Sequence, residues 1–134
     1  MPKAFSCPIG ESNLISTLSE GDRALLKPHL TPVKMDARMT LEEPGKPIER
    51  VYFLKSGVGS TVAFSNNGRR IETGLFGCEG MSGTAAVLQT GHASHETFMQ
   101  VAGEGLAIES GRLQDAMEQS PPLQRHLLRY VQAM

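Results

Sequence analysis

Apolar residues recur with a helical spacing at the start of this chain and with a different spacing after Thr31. Side chains three or four positions apart share one face of a helix, so the early spacing predicts two short helices. Ser19 and Asp22 have the spacing of a capping box, in which the serine oxygen accepts a backbone N–H and the acid bonds back from the first turn. The two apolar stripes are Leu14, Ile15 and Leu18, then Leu25, Leu26 and Leu30.

From Thr31 onward, the apolar residues fall in short runs separated by glycine and proline, which is typical of strands. Asn67-Gly68 offers the positive φ angles that a tight hairpin needs. The runs predict strands around residues 39–41, 51–54, 58–64, 71–75, 97–101 and 105–108. Several strands at this spacing predict a small antiparallel sandwich or barrel.

Helical spacing returns in three further segments. The glycine-studded stretch 77–83 predicts a loop that leads into a short helix at 84–88, and a longer helix is predicted around Leu113, Ala116 and Met117. Ser120 and Pro121 are suited to the cap and the first turn of a last helix. The apolar side of that last helix carries Leu123, Leu127, Leu128, Val131 and Met134.

Composition narrows the class of protein. The 134 residues suffice for one domain, and 13 Lys and Arg against 14 Asp and Glu give a net charge of -1, which attracts neither nucleic acid nor an anionic membrane. The apolar runs are too short to span a bilayer, so we expect no membrane partner. Cys7 and Cys78 have neither paired motif spacing nor the density of a secreted disulfide scaffold. We therefore expect ordinary reduced thiols and a cytoplasmic protein.

Four segments together resemble the N-terminal sensor domain of Crp/Fnr-type bacterial regulators. They are Glu43-Pro44-Gly45, the run from Ile48 to Gly57, the hairpin from Asn66 to Arg69, and the helix from Pro121 to Met134. The resemblance implies a mainly β fold with flanking helices, an antiparallel β-roll (double-stranded β-helix or jelly roll) of the cyclic-nucleotide-binding type. It also implies a tail at 1–12, a roll with N-terminal helices at 13–120, and the start of a C-terminal dimerisation helix at 121–134.

The same resemblance implies a ligand site after the hairpin. In that family a Gly-Glu pair binds the ribose and a downstream arginine pairs with the cyclic phosphate. Here the Gly-Glu position falls near Gly83-Thr84, and no Lys or Arg occurs between Arg70 and Arg112. A buried phosphate needs donors and a compensating charge, so we expect weak or no binding of cyclic AMP. The glycines fit an anion-binding helix start and a packed loop about equally. The predicted ligand-binding residues are Glu79, Gly80, Met81, Ser82, Gly83, Thr84 and His95.

These observations predict a non-enzymatic sensing or regulatory domain with an unknown small-molecule effector or none. We expect a homodimer, and no DNA binding by this chain alone, because the winged helix-turn-helix of the family is missing here; DNA would be bound only if a longer natural protein carries that module. A metal-dependent cupin-type enzyme is one alternative, suggested by His92, His95 and Glu96, but their spacing is not that of cupins. We expect no metal, cofactor or catalytic residue. A ligand-free dimerisation module is the other alternative. The predicted dimer interface is Leu123, Leu127, Leu128 and Val131.

Overall fold

A computed structural model describes residues 12–88, 93 and 95–133 of the chain. Short helices come first, strands follow with one short helix among them, and two longer helices come last. The helices are α1 (Asn13–Ser16), α2 (Glu20–Leu26), α3 (Thr84–Leu88), α4 (Ser110–Gln119) and α5 (Pro121–Ala133), with a 3-10 turn at Lys27–His29. The strands are β1 (Thr31–Met35), β2 (Thr40–Glu42), β3 (Arg50–Leu54), β4 (Val58–Phe64), β5 (Arg70–Phe76), β6 (Glu96–Val101) and β7 (Gly103–Glu109).

The strands form two antiparallel sheets. One has three strands in the order β1-β7-β3, and the other has four in the order β2-β6-β4-β5. In the first sheet Tyr52 of β3 lies opposite Ala107 of β7. In the second, Gly59 of β4 lies between Phe76 of β5 and Met99 of β6. The prediction of a mainly β fold with flanking helices is confirmed.

Strand β3 separates two hydrophobic cores. Val51 and Phe53 point to one side of the three-stranded sheet, where they pack with the helices. Tyr52 and Leu54 point to the other side, into the roll, since successive side chains on a strand face opposite ways. The core inside the roll also contains Met35, Leu41, Phe76, Met99 and Ala107. The core under the helices is larger and includes Leu26, Leu113, Met117, Leu123 and Leu127, all fully buried.

The two predicted caps form, but one of them differs from a capping box. The Ser19 oxygen accepts the N–H of Asp22 (3.2 Å), as predicted. The Asp22 carboxylate, however, accepts a hydrogen bond from the Ser120 hydroxyl (2.6 Å). The Ser120 oxygen in turn accepts the N–H of Leu123 (3.3 Å) and so caps α5. One short chain of hydrogen bonds therefore joins the start of α2 to the junction of α4 and α5.

The hairpin between β4 and β5 has the predicted location and a longer loop. Its connection runs over five residues, from Ser65 to Arg69, whose backbone groups bond each other (2.9 Å). Within that loop Gly68 has a positive φ (+80°), whereas Asn67 does not. The turn therefore needs the glycine, and it is not the two-residue hairpin with two positive φ angles that Asn-Gly predicts.

Candidate functional site

A cavity of about 740 Å³ opens between the four-stranded sheet, the loop before α3, α3 itself and α5. This volume is within the usual range for small-molecule sites, roughly 300–1,000 Å³. The polar lining side chains are Glu42, Thr61, Thr73, Glu79, Ser82, Thr84, His95, Thr97 and Tyr130. The remaining lining residues are Gly74, Leu75, Phe76, Met81, Ala85, Leu88 and Val131.

The loop at 77–83 is bonded to the edge of β3. Met81 forms a bridge with Phe53, and the Ser82 N–H donates to the carbonyl of Tyr52 (2.9 Å). The Ser82 hydroxyl accepts the N–H of Tyr52 (3.0 Å), so this buried side chain completes the pairing. Gly83 has φ +77°, and a Cβ there would lie 2.7 Å from a methyl group of Val51. The loop is therefore fixed in place, and the chain needs glycine where it passes over β3.

Tyr130 connects α5 to the same loop. Its hydroxyl oxygen accepts the N–H of Met81 (3.2 Å), and the hydroxyl lies 3.5 Å from the Met81 carbonyl, to which it donates. Gly80 allows this approach, because a Cβ at that position would lie 2.5 Å from the tyrosine oxygen. Burial raises the pKa of Tyr130, and the carboxylates of Glu79 and Glu42 raise it further, while the hydrogen bond to Met81 opposes them. Tyr130 and both acids line the same cavity.

The charges at the cavity are negative. The Glu42 carboxylate accepts the N–H of Gly83 (2.8 Å), and the Glu79 carboxylate accepts the N–H of Gly77 (3.1 Å). Neither acid forms a salt bridge with any residue that the structure describes. The cavity lining contains no lysine or arginine among the described residues, and His95 is the one side chain there that can become positive.

Thr97 adds an uncharged polar group to the cavity wall. The residue is 2% exposed and lines the cavity. A threonine hydroxyl both donates and accepts hydrogen bonds, so it offers a polar contact to a bound molecule or water. Strand β6 places Thr97 opposite Thr61 of β4, which also lines the cavity.

Five of the seven residues predicted to bind a ligand line this cavity: Glu79, Met81, Ser82, Thr84 and His95. Gly80 and Gly83 lie in the same loop and direct their N–H groups to Gly77 and Glu42, both within the chain. Sequence reasoning missed Glu42, Thr61, Thr97 and Tyr130. Only Glu42, next to the Glu43-Pro44-Gly45 segment, had a signal that pointed to it.

The other candidate chemistries have less support in the structure. No three His, Cys, Asp or Glu side chains within residues 12–88, 93 and 95–133 are grouped as metal ligands require, and His92 lies outside these ranges. The prediction of a reduced thiol at Cys78 is wrong, because Cys78 is buried and disulfide-bonded; Cys7 lies outside the described residues. The cysteines therefore do not support a reducing compartment. Among the described helices, none is long and apolar enough to cross a bilayer.

The predicted dimer interface needs a correction at two of its four positions. Leu123 and Leu127 are both 0% exposed and pack in the core under the helices, so they have no surface left for a partner. Val131 is partly buried and lines the cavity. Leu128 is partly buried on the same helix and remains a candidate contact. Helix α5 packs against α3 and α4, so its apolar side is mainly a core surface.

No family model and no curated protein matches the sequence. Solved structures do match. The N-terminal domain of a transcriptional regulator from Streptomyces coelicolor A3(2) is 23% identical, with a TM-score of 0.67 over 90% of this chain and 84% of that one. The sensor domain of the transcriptional regulator DNR from Pseudomonas aeruginosa is 16% identical, with a TM-score of 0.70 over 90% and 81%.

A third match is the regulatory subunit of a cAMP-independent protein kinase A from Trypanosoma cruzi bound to guanosine. It is 12% identical, with a TM-score of 0.76 over 90% of this chain and 42% of that one. Matches at such low identity show a shared fold, and they confirm at that level the predicted resemblance to Crp/Fnr-type sensor domains. The chain therefore has the β-roll fold of cyclic-nucleotide-binding-type sensor domains.

Proposed function

We propose that this chain is a non-enzymatic ligand-sensing domain of a Crp/Fnr-like transcriptional regulator, and that its effector is not a cyclic nucleotide. The observation that carries the proposal is the cavity of about 740 Å³ that joins the roll to α5 and contains two carboxylates, with no lysine or arginine among its described lining residues. A sensor needs a cavity connected to a helix that transmits the signal, and this cavity has that connection through Tyr130.

The charge of the cavity argues against cyclic AMP and cyclic GMP. A phosphate at the start of α3 would need the N–H groups there and a compensating cation. The N–H of Gly83 is already bonded to the Glu42 carboxylate, which would repel the phosphate. Leaving a desolvated phosphate without its charged partner costs about 2–5 kcal/mol, or roughly 30-fold to several thousand-fold in affinity.

A different effector is compatible with this fold. The Trypanosoma cruzi structure has the same fold and, by its description, binds guanosine, which carries no phosphate. The cavity here offers hydroxyl and carboxylate groups that accept hydrogen bonds, beside apolar side chains such as Phe76 and Leu88. Such a lining suits a molecule with donor groups and an apolar part.

The proposed output runs through α5. Tyr130 and Val131 lie at the cavity, while Leu128 is a partly exposed neighbour on the same helix. A ligand that contacts the first two residues would shift α5, and the shift would reach a second copy of the chain through Leu128. DNA binding in this proposal belongs to a helix-turn-helix module in a longer natural protein and not to residues 1–134.

Equilibrium dialysis against a defined mixture of bacterial metabolites, read by mass spectrometry, tests the sensing role. Gly74 lines the cavity, and a Cβ there would contact no atom within 4 Å, so Gly74→Phe adds a ring at the cavity wall without a clash at its Cβ. Gly111→Phe is the matched control, because Gly111 is equally unobstructed and lies on α4. We expect the wild type and the control to retain a compound that Gly74→Phe does not. Equal retention by all three proteins, or none by the wild type, would contradict a sensing role.

Light scattering over a concentration series tests the dimer separately. We expect the wild type to self-associate and Leu128→Asp to be monomeric with an unchanged circular dichroism spectrum. Leu127→Asp is the contrasting change, because Leu127 is fully buried and an unpaired charge there would unfold the domain. A wild type that stays monomeric at high concentration would end the dimer proposal and leave the sensing role in place.

A further inference from the structure

The negative charge at the cavity indicates a class of ligand, and this inference rests on the proposed sensing function. We infer that the cavity binds a small organic cation, a primary amine attached to an apolar body. The cyclic-nucleotide-binding-type fold would then hold a positive ligand at a place where an anion would be repelled. Three features of the lining lead to this class of ligand: its carboxylates, the hydroxyl of a threonine and a set of exposed apolar side chains.

Glu42 and Glu79 supply the negative charge. Each uses one carboxylate oxygen to accept a backbone N–H, and Glu42 Oε1 accepts no hydrogen bond from the described residues. Both side chains are only partly exposed, and neither has a lysine or arginine partner in the described ranges. A half-buried carboxylate without a counter-ion favours a cation, since a charge-assisted hydrogen bond to an ammonium group is strong. Both acids line the same cavity as Tyr130, whose hydroxyl can also accept a hydrogen bond from an amine.

Thr97 supplies the second feature. The residue is 2% exposed, and its side chain lines the cavity. A threonine oxygen accepts a hydrogen bond from an ammonium N–H as readily as it donates one, so it fits the same ligand.

Apolar side chains at the cavity supply the third feature. Leu75 is 42% exposed and Leu88 is 51% exposed, and both line the cavity beside Phe76 and Met81. Large apolar groups clustered at an opening often mark a binding site. A ligand whose body covers these two leucines while its nitrogen reaches the acids would bury both kinds of lining. A bare metal ion or a very polar polyamine would leave the leucines exposed.

An NMR titration with three probes of one shape tests the inference. Tyramine is a cation, 4-ethylphenol is neutral, and 3-(4-hydroxyphenyl)propionate is an anion; phenethylamine and tryptamine extend the amine set. We expect at least one amine to shift the resonances of Thr97 and of the residues near Tyr130. We expect its dissociation constant to be at least about 10-fold lower than that of the matched anion.

Substitutions at the acids then connect the preference to the site. Glu42→Gln and Glu79→Gln each keep an oxygen for the backbone N–H, and each should reduce the amine preference by about 10-fold or more. Thr97→Val should weaken the amine less, by a few-fold. Glu43→Gln is the control, because Glu43 is exposed, pairs with Lys46 and lies outside the cavity lining. Glu42 and Glu79 lie on different elements of the fold, so the two substitutions disturb different parts of it. If one variant does not fold, the other still tests the inference.

Three results would overturn the inference: no binding by any amine, equal binding of the anion, or an amine preference that survives in every glutamine variant that folds. None of these results would by itself overturn the sensing role, which the dialysis experiment tests without assuming a charge. If dialysis retains only neutral compounds, the sensing role stands and the cationic class is wrong. If nothing is retained and no amine binds, both proposals fail.

Discussion

Strands β3 and β5 both lie at the edge of a sheet, yet their surroundings are opposite. In β3 (Arg50–Leu54) the four residues after Arg50 are buried, whereas in β5 (Arg70–Phe76) Phe76 alone is buried. The edge of β3 is covered by the loop at Met81 and Ser82, which pairs with it. In the described structure no strand pairs with the outer edge of β5. An edge strand that is covered can become core, and an uncovered one stays polar or exposed.

This difference suggests that β3 contributes mainly to the stability of the domain and β5 mainly to ligand binding. Strand β3 has apolar contacts on both faces, one in each core. Strand β5 instead contributes Thr73, Gly74 and Leu75 to the cavity wall. Regions with few buried contacts open at a lower free-energy cost than core strands, and such regions form most ligand-binding walls. We therefore expect changes in β3 to alter the free energy of unfolding and changes in β5 to alter binding.

The largest expected effect is on the β3 side. Phe53 is fully buried, so Phe53→Ala should lower the free energy of unfolding by about 3–5 kcal/mol. Ile71 is half exposed on β5, so Ile71→Ala should cost less than about 1 kcal/mol. Urea unfolding followed by circular dichroism measures both variants. Similar losses for the two variants would show that β5 belongs to the same core as β3.

A smaller effect separates two glycines of the four-stranded sheet. At Gly59 a Cβ would lie 2.4 Å from the ring of Phe76, so Gly59→Ala should destabilise the domain by about 1–3 kcal/mol. At Gly74 a Cβ would meet nothing within 4 Å, so Gly74→Ala should be close to neutral. Thermal unfolding of the two variants provides the comparison. An equal drop in melting temperature would mean that β5 is packed as tightly as β4.

The smallest effect concerns the hydroxyl that bonds the loop covering β3. Tyr130→Phe removes the acceptor of the Met81 N–H and should cost about 1 kcal/mol near pH 7. Because the pKa of Tyr130 is raised above its ordinary value of 10.0, the folded protein keeps this proton longer than the unfolded chain does. The stability of the wild type relative to Tyr130→Phe should therefore be constant below pH 10 and fall as the pH rises above it. A difference that stays constant through that range would contradict the burial of the hydroxyl.

The sequence was sufficient for most of the strands and helices. Apolar runs between turn residues predicted β3, β4 and β6 within one or two residues, because each is bounded by glycine, proline or polar residues. Strand β1 (Thr31–Met35) was not assigned, since it is short, begins with Thr31-Pro32 and has one buried side chain. Asp22 was predicted to close a capping box, but it bonds Ser120, which is distant in sequence.

The cavity was predicted only in part, for a physical reason. The glycines at 77–83 indicated a loop at the ligand site, and five of the seven residues predicted to bind a ligand do line the cavity. Glu42, Thr97 and Tyr130 come from β2, β6 and α5, and only the folded chain brings them together. Helical periodicity and the Crp/Fnr resemblance assigned Leu127 to a partner, because periodicity cannot distinguish a face on the chain's own core from a face on a second copy.

Calorimetric titration of the wild type with cyclic AMP is the most direct test of the negative cavity. The Glu42 carboxylate occupies the Gly83 N–H, and the described lining contains no lysine or arginine. We therefore expect no saturable heat at cyclic AMP concentrations up to about 1 mM. A dissociation constant of about 1 mM corresponds to a binding free energy of roughly 4 kcal/mol. Glu42→Gln should lower the dissociation constant for cyclic AMP, because it removes one negative charge that repels the phosphate. A 1:1 complex of the wild type with a low-micromolar dissociation constant would contradict the proposal that this cavity excludes anions.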